Sequence, residues 1–135
     1  MSEAAAGSDG PLAGVRVLLV EDETLVAMLL EDMVTDLGGT VVGSASRLGR
    51  ALEIVADPAT TIDLAVLDVN LGGEEAFPVA TRLAERGVPF VFSTGYGNAG
   101  LPPDWRSRPT LQKPFTQEQV TRVLRGALDA HSQPV

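Results

Sequence analysis

Short apolar runs alternate with helix-periodic segments along this chain. Residues 15–20 (VRVLLV) form an aliphatic, β-branched run bounded by Gly14 and Glu21, the pattern of a strand buried on both faces. Leu25, Leu29, Met33 and Leu37 then recur every four residues, flanked by Val26, Leu30 and Val34, with Glu31, Asp32, Thr35 and Asp36 on the other side. That spacing predicts an amphipathic helix with this stripe turned to the core, stopped by Gly38-Gly39. Residues 40–45 read as a second strand. Ser46 suits the N-cap of a second helix with Leu48, Leu52 and Val55 inward, ended by Asp57-Pro58. Residues 64–67 (LAVL) predict a third strand and 68–74 a loop. A third helix follows, with Pro78 in its first turn and Val79, Ala80 and Leu83 inward. Residues 90–93 (FVFS) read as a fourth strand. Beyond it, Gly95, Gly97, Gly100, Pro102, Pro103 and Pro109 leave room only for a short, distorted helix around residues 104–107. Residues 110–112 predict a fifth strand. The last helix opens at Thr116, with Gln119 as its capping-box partner and Val120, Val123, Leu124, Ala127 and Leu128 as its apolar face.

Five strands alternating with up to five helices predict an α/β domain, a parallel sheet with helices on both faces. In such sheets ligands sit past the carboxyl ends of the strands, at the topological switch point. The 135-residue length fits one domain. Residues 1–13, rich in Ala, Gly, Ser and acids and without a basic n-region, read as a flexible tail and not as a signal peptide; 14–131 read as the folded domain and 132–135 as a frayed end. The net charge of −8 argues against nucleic acid or an anionic membrane surface as a direct partner. Without cysteine there is no disulfide, thiolate metal site or cysteine nucleophile. No apolar run approaches the roughly 20 residues of a membrane span, and the expected location is cytoplasmic.

The residues just past the apolar runs are polar: Glu21 and Asp22 after the first strand, Asp68 after the third, Thr94 and Gly95 after the fourth, Lys113 and Pro114 after the fifth. A parallel sheet brings all of them to one edge. Carboxylates about 4 Å apart repel by roughly 4 kcal/mol per pair at an effective dielectric near 20, so the cluster calls for a cation. Lys113 and a divalent ion would serve, and an all-oxygen donor set without His or Cys suits Mg²⁺. Asp68 is the candidate nucleophile, able to form an aspartyl phosphate. Mg²⁺ would be held by Asp22, Asp68, Glu21 through water, and the Asn70 backbone carbonyl, with Lys113 and the Thr94 hydroxyl facing the remaining phosphoryl oxygens. Gly95 would leave the phosphoryl position open. Two enzyme classes fit poorly. A dehalogenase-type phosphatase needs a second Asp where this chain has Asn70, and Glu21-Asp22 would repel a flavin phosphate after the first strand. There is no P-loop motif.

The segments VLLVEDE, LAVLDVNLGGE, FVFSTGYG and LQKPF, in this order across about residues 15–130, resemble the receiver domains of two-component response regulators. The resemblance implies a flavodoxin-like, doubly wound five-stranded parallel sheet of order 2-1-3-4-5 with a shortened or distorted fourth helix. It implies Asp68 as phosphoacceptor for a histidine kinase or phosphotransfer protein, Glu21 and Asp22 as metal-site acids, Thr94 as the switch hydroxyl and Lys113 as the phosphate-pairing lysine. The expectation is therefore a phosphoacceptor signalling domain and not an enzyme, either a monomer or a phosphorylation-dependent dimer. With no recognisable output segment after residue 130, the expected output is an altered contact with a downstream protein, or service as a phosphate sink or shuttle. The FSTGYG stretch is similar to a subgroup with a Phe-Ala-Thr-Gly signature, Ser93 standing for the Ala. Gly72 occupies the family's usual proline position, and Thr110 the usual aromatic position; Tyr96 or Trp105 are candidate replacements for that aromatic. His131 reads as inert.

Overall fold

The apolar strands are buried from both sides because helices cover each face of one sheet. The computed structural model describes residues 10–95 and 101–132. In chain order the strands are β1 (Arg16–Val20), β2 (Thr40–Ala45), β3 (Leu64–Asp68), β4 (Asn70–Leu71), β5 (Glu74–Glu75), β6 (Phe90–Thr94) and β7 (Thr110–Gln112). The helices are α1 (Thr24–Asp36), α2 (Leu48–Ala56), α3 (Phe77–Glu85) and α4 (Gln117–Ser132), with a 3-10 turn at Pro103–Trp105. Five parallel strands run in the order β2-β1-β3-β6-β7, while β4 and β5 form a separate antiparallel pair. Counting only the five sheet strands, this is the predicted 2-1-3-4-5 arrangement.

Alternation along each strand divides the core in two. Leu18, Val20, Ala65, Leu67, Phe90 and Phe92 pack under α2 and α3. Val17, Leu19, Leu64, Val66 and Val91 pack under α1 and α4. Burying both faces removes the polar-out positions that would reveal a strand by alternation, hence the unbroken apolar runs. Local signals hold at several element ends. Pro78 lies in the first turn of α3, and Thr116 and Gln119 exchange reciprocal hydrogen bonds of 2.8 and 3.2 Å ahead of α4.

Four expectations are corrected. On α1 the buried residues are Leu30 and Val34, whereas Leu25 is 80% exposed and Leu29 46%. An every-four series advances about 40° per step around a 3.6-residue helix. A stripe inward at Leu37 is therefore turned to solvent by Leu25. Ser46 is not a cap: the N-cap residue of α2 is Arg47, whose backbone is extended and which makes no side-chain cap bond. The 68–74 loop contains the β4–β5 hairpin. The expected short, distorted fourth helix is the 3-10 turn at Pro103–Trp105, which leaves four α-helices among the described residues.

The last correction concerns the amino terminus. Residues 10–13 are not part of a loose tail. Leu12 is fully buried between the carboxyl end of α1 and α4, in the cluster with Val34, Leu37 and Leu124. Its N–H donates to Leu37 O at 2.8 Å, and Arg125 Nη1 donates to Pro11 O at 3.1 Å. A Cβ on Gly10 would collide with the Leu37 carbonyl, so the strap needs glycine there. The rest of the proposed tail, residues 1–9, lies outside the described residues, as do Tyr96 and residues 133–135.

Replacing Leu12 with Ala should destabilise the domain by about 2–5 kcal/mol, the usual loss for emptying a fully buried leucine site. Urea unfolding measures it. A change within about 0.5 kcal/mol, normal for a surface residue, would mean the strap is not docked in solution.

Candidate functional site

The chain leaves β1 at Val20 and β3 at Asp68, and these two strands are neighbours in the sheet. The connection from β1 goes outward to β2, whereas β3 leads toward β6 and β7. A crevice therefore opens at their carboxyl ends. Glu21 is buried there, its N–H bonded to Ala45 O at 2.9 Å. Asp22 and Glu23 follow before α1 begins. Asp68 is also buried, and its Oδ1 accepts the Asn70 N–H at 3.1 Å. Lys113 comes from the far side, after β7, through a cis peptide bond to Pro114. Its backbone N–H donates to Thr94 O at 2.9 Å. Its ammonium lies 3.0 Å from Asp68 Oδ2, 3.1 Å from Glu21 Oε1 and 3.2 Å from Glu23 Oε1.

The structure thus brings together Glu21, Asp22, Asp68 and Lys113, as predicted for a parallel sheet. It also adds Glu23, which lies outside the predicted set. The available signal was the third consecutive acid in Glu21-Asp22-Glu23, which the first two overshadow. Carboxylate oxygens of Glu21, Asp22, Glu23 and Asp68 all lie within 4.8 Å of one another. One ammonium cannot balance four ionised carboxylates. The strain shows in Glu21, whose carboxyl is pushed up to about 7, first by burial and then by hydrogen bonding and charge from Asp68. The Glu23 N–H and Lys113 act against that rise. Partial burial would also raise Asp22, but hydrogen bonding with Asp68 and the Gly72 N–H outweighs it and holds the carboxyl below its ordinary range. Burial pulls Lys113 down. Its hydrogen bonds and charge contacts with Asp68 and Glu21 more than offset this and hold it above its ordinary value.

The donor set fits a hard divalent cation. Four carboxylates converge without nitrogen or sulfur ligands. The buried Glu21 Oε1 has no hydrogen bond, although the ammonium is in ion-pair range, so this oxygen remains available as an acceptor. Asp68, Asn70, Gly73, Glu75, Thr94 and Gly95 line an adjoining cleft of about 510 Å³, which could admit a phosphoryl group. Thr94 is buried at the end of β6, and Gly95 has open space where a Cβ would stand. The Asn70 side chain is engaged locally, its Oδ1 accepting the Gly73 N–H at 2.8 Å. A slightly larger cleft, about 550 Å³, lies at the amino ends of β6 and β7 and holds no carboxylate cluster.

Two sequence peculiarities gain a local account. Gly72 has φ +61 and donates its N–H to Asp22 Oδ2 at 3.0 Å. Proline could supply neither the left-handed backbone nor the donor. Ser93 is fully buried, and its hydroxyl has no hydrogen-bond partner among the described residues, a group that costs about 1–3 kcal/mol to leave unpaired. Trp105 joins an aromatic cluster, stacked on Phe77 at 6.3 Å and edge-on to Phe90 and Phe92, each at 5.9 Å.

Residues 17–125 match the family model of the response regulator receiver domain. The chain is 36% identical over 123 residues to the transcriptional regulatory protein TcrA of Mycobacterium tuberculosis, an alignment covering 86% of this chain and 47% of TcrA. It is 33% identical over 116 residues to the phyllosphere-induced regulator PhyR of Methylorubrum extorquens, covering 83% of this chain and 43% of PhyR. The chain thus spans about half the length of the curated relatives it matches. Among solved structures it is similar to SdrG of Sphingomonas melonis Fr1, with 48% identity, a TM-score of 0.75, and coverage of 84% of this chain and 95% of that one. The BeF3-activated conformation of SdrG matches with 46% identity and a TM-score of 0.72, at the same coverage.

The raised Glu21 carboxyl has a stability consequence in metal-free protein. Between its ordinary value of 4.5 and about 7, the folded state holds a proton that the unfolded state has released. Stability must therefore fall as pH rises through that window, because the folded state binds more protons there. Glu21→Gln should remove this component. Urea unfolding of both proteins at pH 5 and pH 8, with chelator present, tests it. Equal pH slopes for the two would contradict the assignment.

Proposed function

Since the chain belongs to the response regulator receiver family of two-component systems, we propose that Asp68 accepts a phosphoryl group from the phosphohistidine of a kinase or phosphotransfer protein, with Mg²⁺ bound. The observation that carries this reading is the placement of Asp68 Oδ2 3.0 Å from Lys113 Nζ, inside the four-carboxylate cluster. With the docked strap included, the receiver unit is read as residues 10–131.

Glu21, Asp22, Asp68 and the Asn70 carbonyl would hold the ion, which when bound neutralises charge on the phosphoryl oxygens. The chain's own residues do the rest. An Asp68 carboxylate oxygen forms the new O–P bond as the donor's N–P bond breaks, and the leaving imidazole takes a proton from solvent. The Asn70 N–H and Lys113 orient the carboxylate before transfer. Afterwards the negative charge sits on phosphoryl oxygens, and Lys113 and the Thr94 hydroxyl donate to them. Lys113 and Thr94 are joined through the Lys113 N–H to Thr94 O bond, so a shift of one acts on the other. That draws the ends of β6 and β7 toward the phosphoryl group and alters the surface beside them. The resulting signal is an altered protein contact, or the phosphoryl group is passed on.

An incoming donor has a landing surface on α1. Leu25, Met28 and Leu29 are exposed, and Leu29 borders a groove shared with Val26, Pro114 and Phe115. Lys113 and Glu23 form its polar rim, so a protein docked there lies beside the acidic cluster.

Incubation with a labelled phosphorylated kinase or labelled acetyl phosphate should label the wild-type chain only when Mg²⁺ is present. Asp68→Asn should take no label. Equal labelling of Asp68→Asn, or labelling that survives chelation, would refute Mg²⁺-dependent transfer to Asp68.

A further inference from the structure

We propose that Glu23 is a latch on Lys113 that must open when Asp68 is phosphorylated, so that it sets how readily the phosphorylated state forms; this rests on the phosphoacceptor reading above. A lysine ammonium has three N–H donors. Those of Lys113 are matched by three carboxylates, with hydrogen bonds of 3.0 Å to Asp68 Oδ2, 3.2 Å to Glu23 Oε1 and 3.3 Å to Glu21 Oε2. Before transfer no donor is spare. The three partners differ in what letting go of the ammonium requires.

Asp68 gives up its donor on transfer, when its carboxylate becomes an acyl phosphate, so the pairs that still hold the ammonium back are those with Glu21 and Glu23. The Glu21 side chain is 1% exposed, and its Oε2 also accepts the Glu23 N–H at 3.1 Å, so it cannot turn away into water. The Glu23 side chain is 63% exposed and can rotate into solvent, where a carboxylate is well hydrated. Glu23 is therefore the partner that lets go. Nothing in α1 requires its present orientation. Glu23 is the N-cap residue with extended backbone, yet its side chain makes no cap hydrogen bond and reaches to Lys113. The latch opposes the phosphorylated state by the strength of one partly exposed ion pair.

Beryllofluoride in excess Mg²⁺, followed by amide NMR at low ionic strength, tests the latch on wild type, Glu23→Gln, Glu23→Asp and Glu75→Gln. Glu23→Gln removes the charge. Glu23→Asp keeps it but is one methylene too short to hold Lys113, and aspartate is a favoured N-cap, which secures the fold. Both should lower the half-saturating beryllofluoride concentration by about 2- to 5-fold, the range of a partly exposed pair. Glu75 lines the cleft without an ion pair to Lys113, so Glu75→Gln measures what the loss of one nearby charge does by itself, and Glu23→Gln should exceed that effect. In metal-free samples the Lys113 side-chain NMR signals should shift in both Glu23 variants and not in Glu75→Gln.

If Glu23→Asp behaves as wild type while Glu75→Gln matches Glu23→Gln, general repulsion of the anion explains the data and the latch is wrong. A wild-type chain that shows no beryllofluoride response overturns phosphoacceptance and the latch with it. A responding wild type whose half-saturation neither Glu23 variant changes overturns the latch alone.

Discussion

One ammonium among four carboxylates is the constraint around which this domain is arranged. Lys113 approaches Asp68, Glu21 and Glu23 within 3.0–3.2 Å, and Asp22 completes the acidic set. Such a cluster persists only if the scaffold holds it against its own repulsion. The parallel sheet does this by separating the contributions in sequence and bringing them together at strand ends: β1 delivers the acidic run, β3 delivers Asp68, and the chain after β7 delivers the lysine. Each strand is anchored by apolar residues on both faces, so the polar tips can be held in an unfavourable arrangement without the elements separating.

The excess of negative charge is also what prepares the site. A pocket short of positive charge favours a divalent cation, and under the proposed function a lysine shared among carboxylates is redirected when Asp68 becomes an acyl phosphate. The buried Glu21 illustrates the balance. In the absence of metal its carboxyl is pushed up to about 7, because burial and the Asp68 charge disfavour ionisation. Protonation relieves the cluster in the metal-free protein, and a bound cation would do the same by restoring the ionised form. The two means of neutralisation are alternatives, so binding of a cation there would be accompanied by proton release.

Much of the fold and of the site was legible in the sequence because both rest on strand ends. Continuous apolar runs give the buried strands, and the residue following each run falls at the carboxyl edge whatever the details of the helices. Glu21, Asp22, Asp68, Thr94 and Lys113 could therefore be placed without coordinates. What was not legible depended on rotation and on contacts distant in sequence. The outward turn of Leu25 and Leu29 follows from the drift of an every-four series around α1 and from which stripe the sheet accommodates. The docking of Leu12 depends on a leucine-sized space between α1 and α4 that no local pattern announces. Glu23 reads as the start of a helix until Lys113, 90 positions away, is found beside it.

The way local rules are kept or broken points to the same edge of the sheet as the chemistry. Away from the site the chain follows them: a capping box precedes α4, proline occupies the first turn of α3, and glycine takes the positive φ at Gly87 beyond it. At the carboxyl ends of β1, β3 and β6 the exceptions collect. Among the described residues, a glutamate is buried with one oxygen that has only an ion-pair contact, and a serine hydroxyl is buried beside the apolar core without a hydrogen-bond partner. Gly72 takes a left-handed backbone so that its N–H reaches Asp22. Each exception costs stability, and stability alone would disperse or remove them. Their concentration within one crevice is what is expected when the geometry of a reacting group is held in place by the rest of the fold.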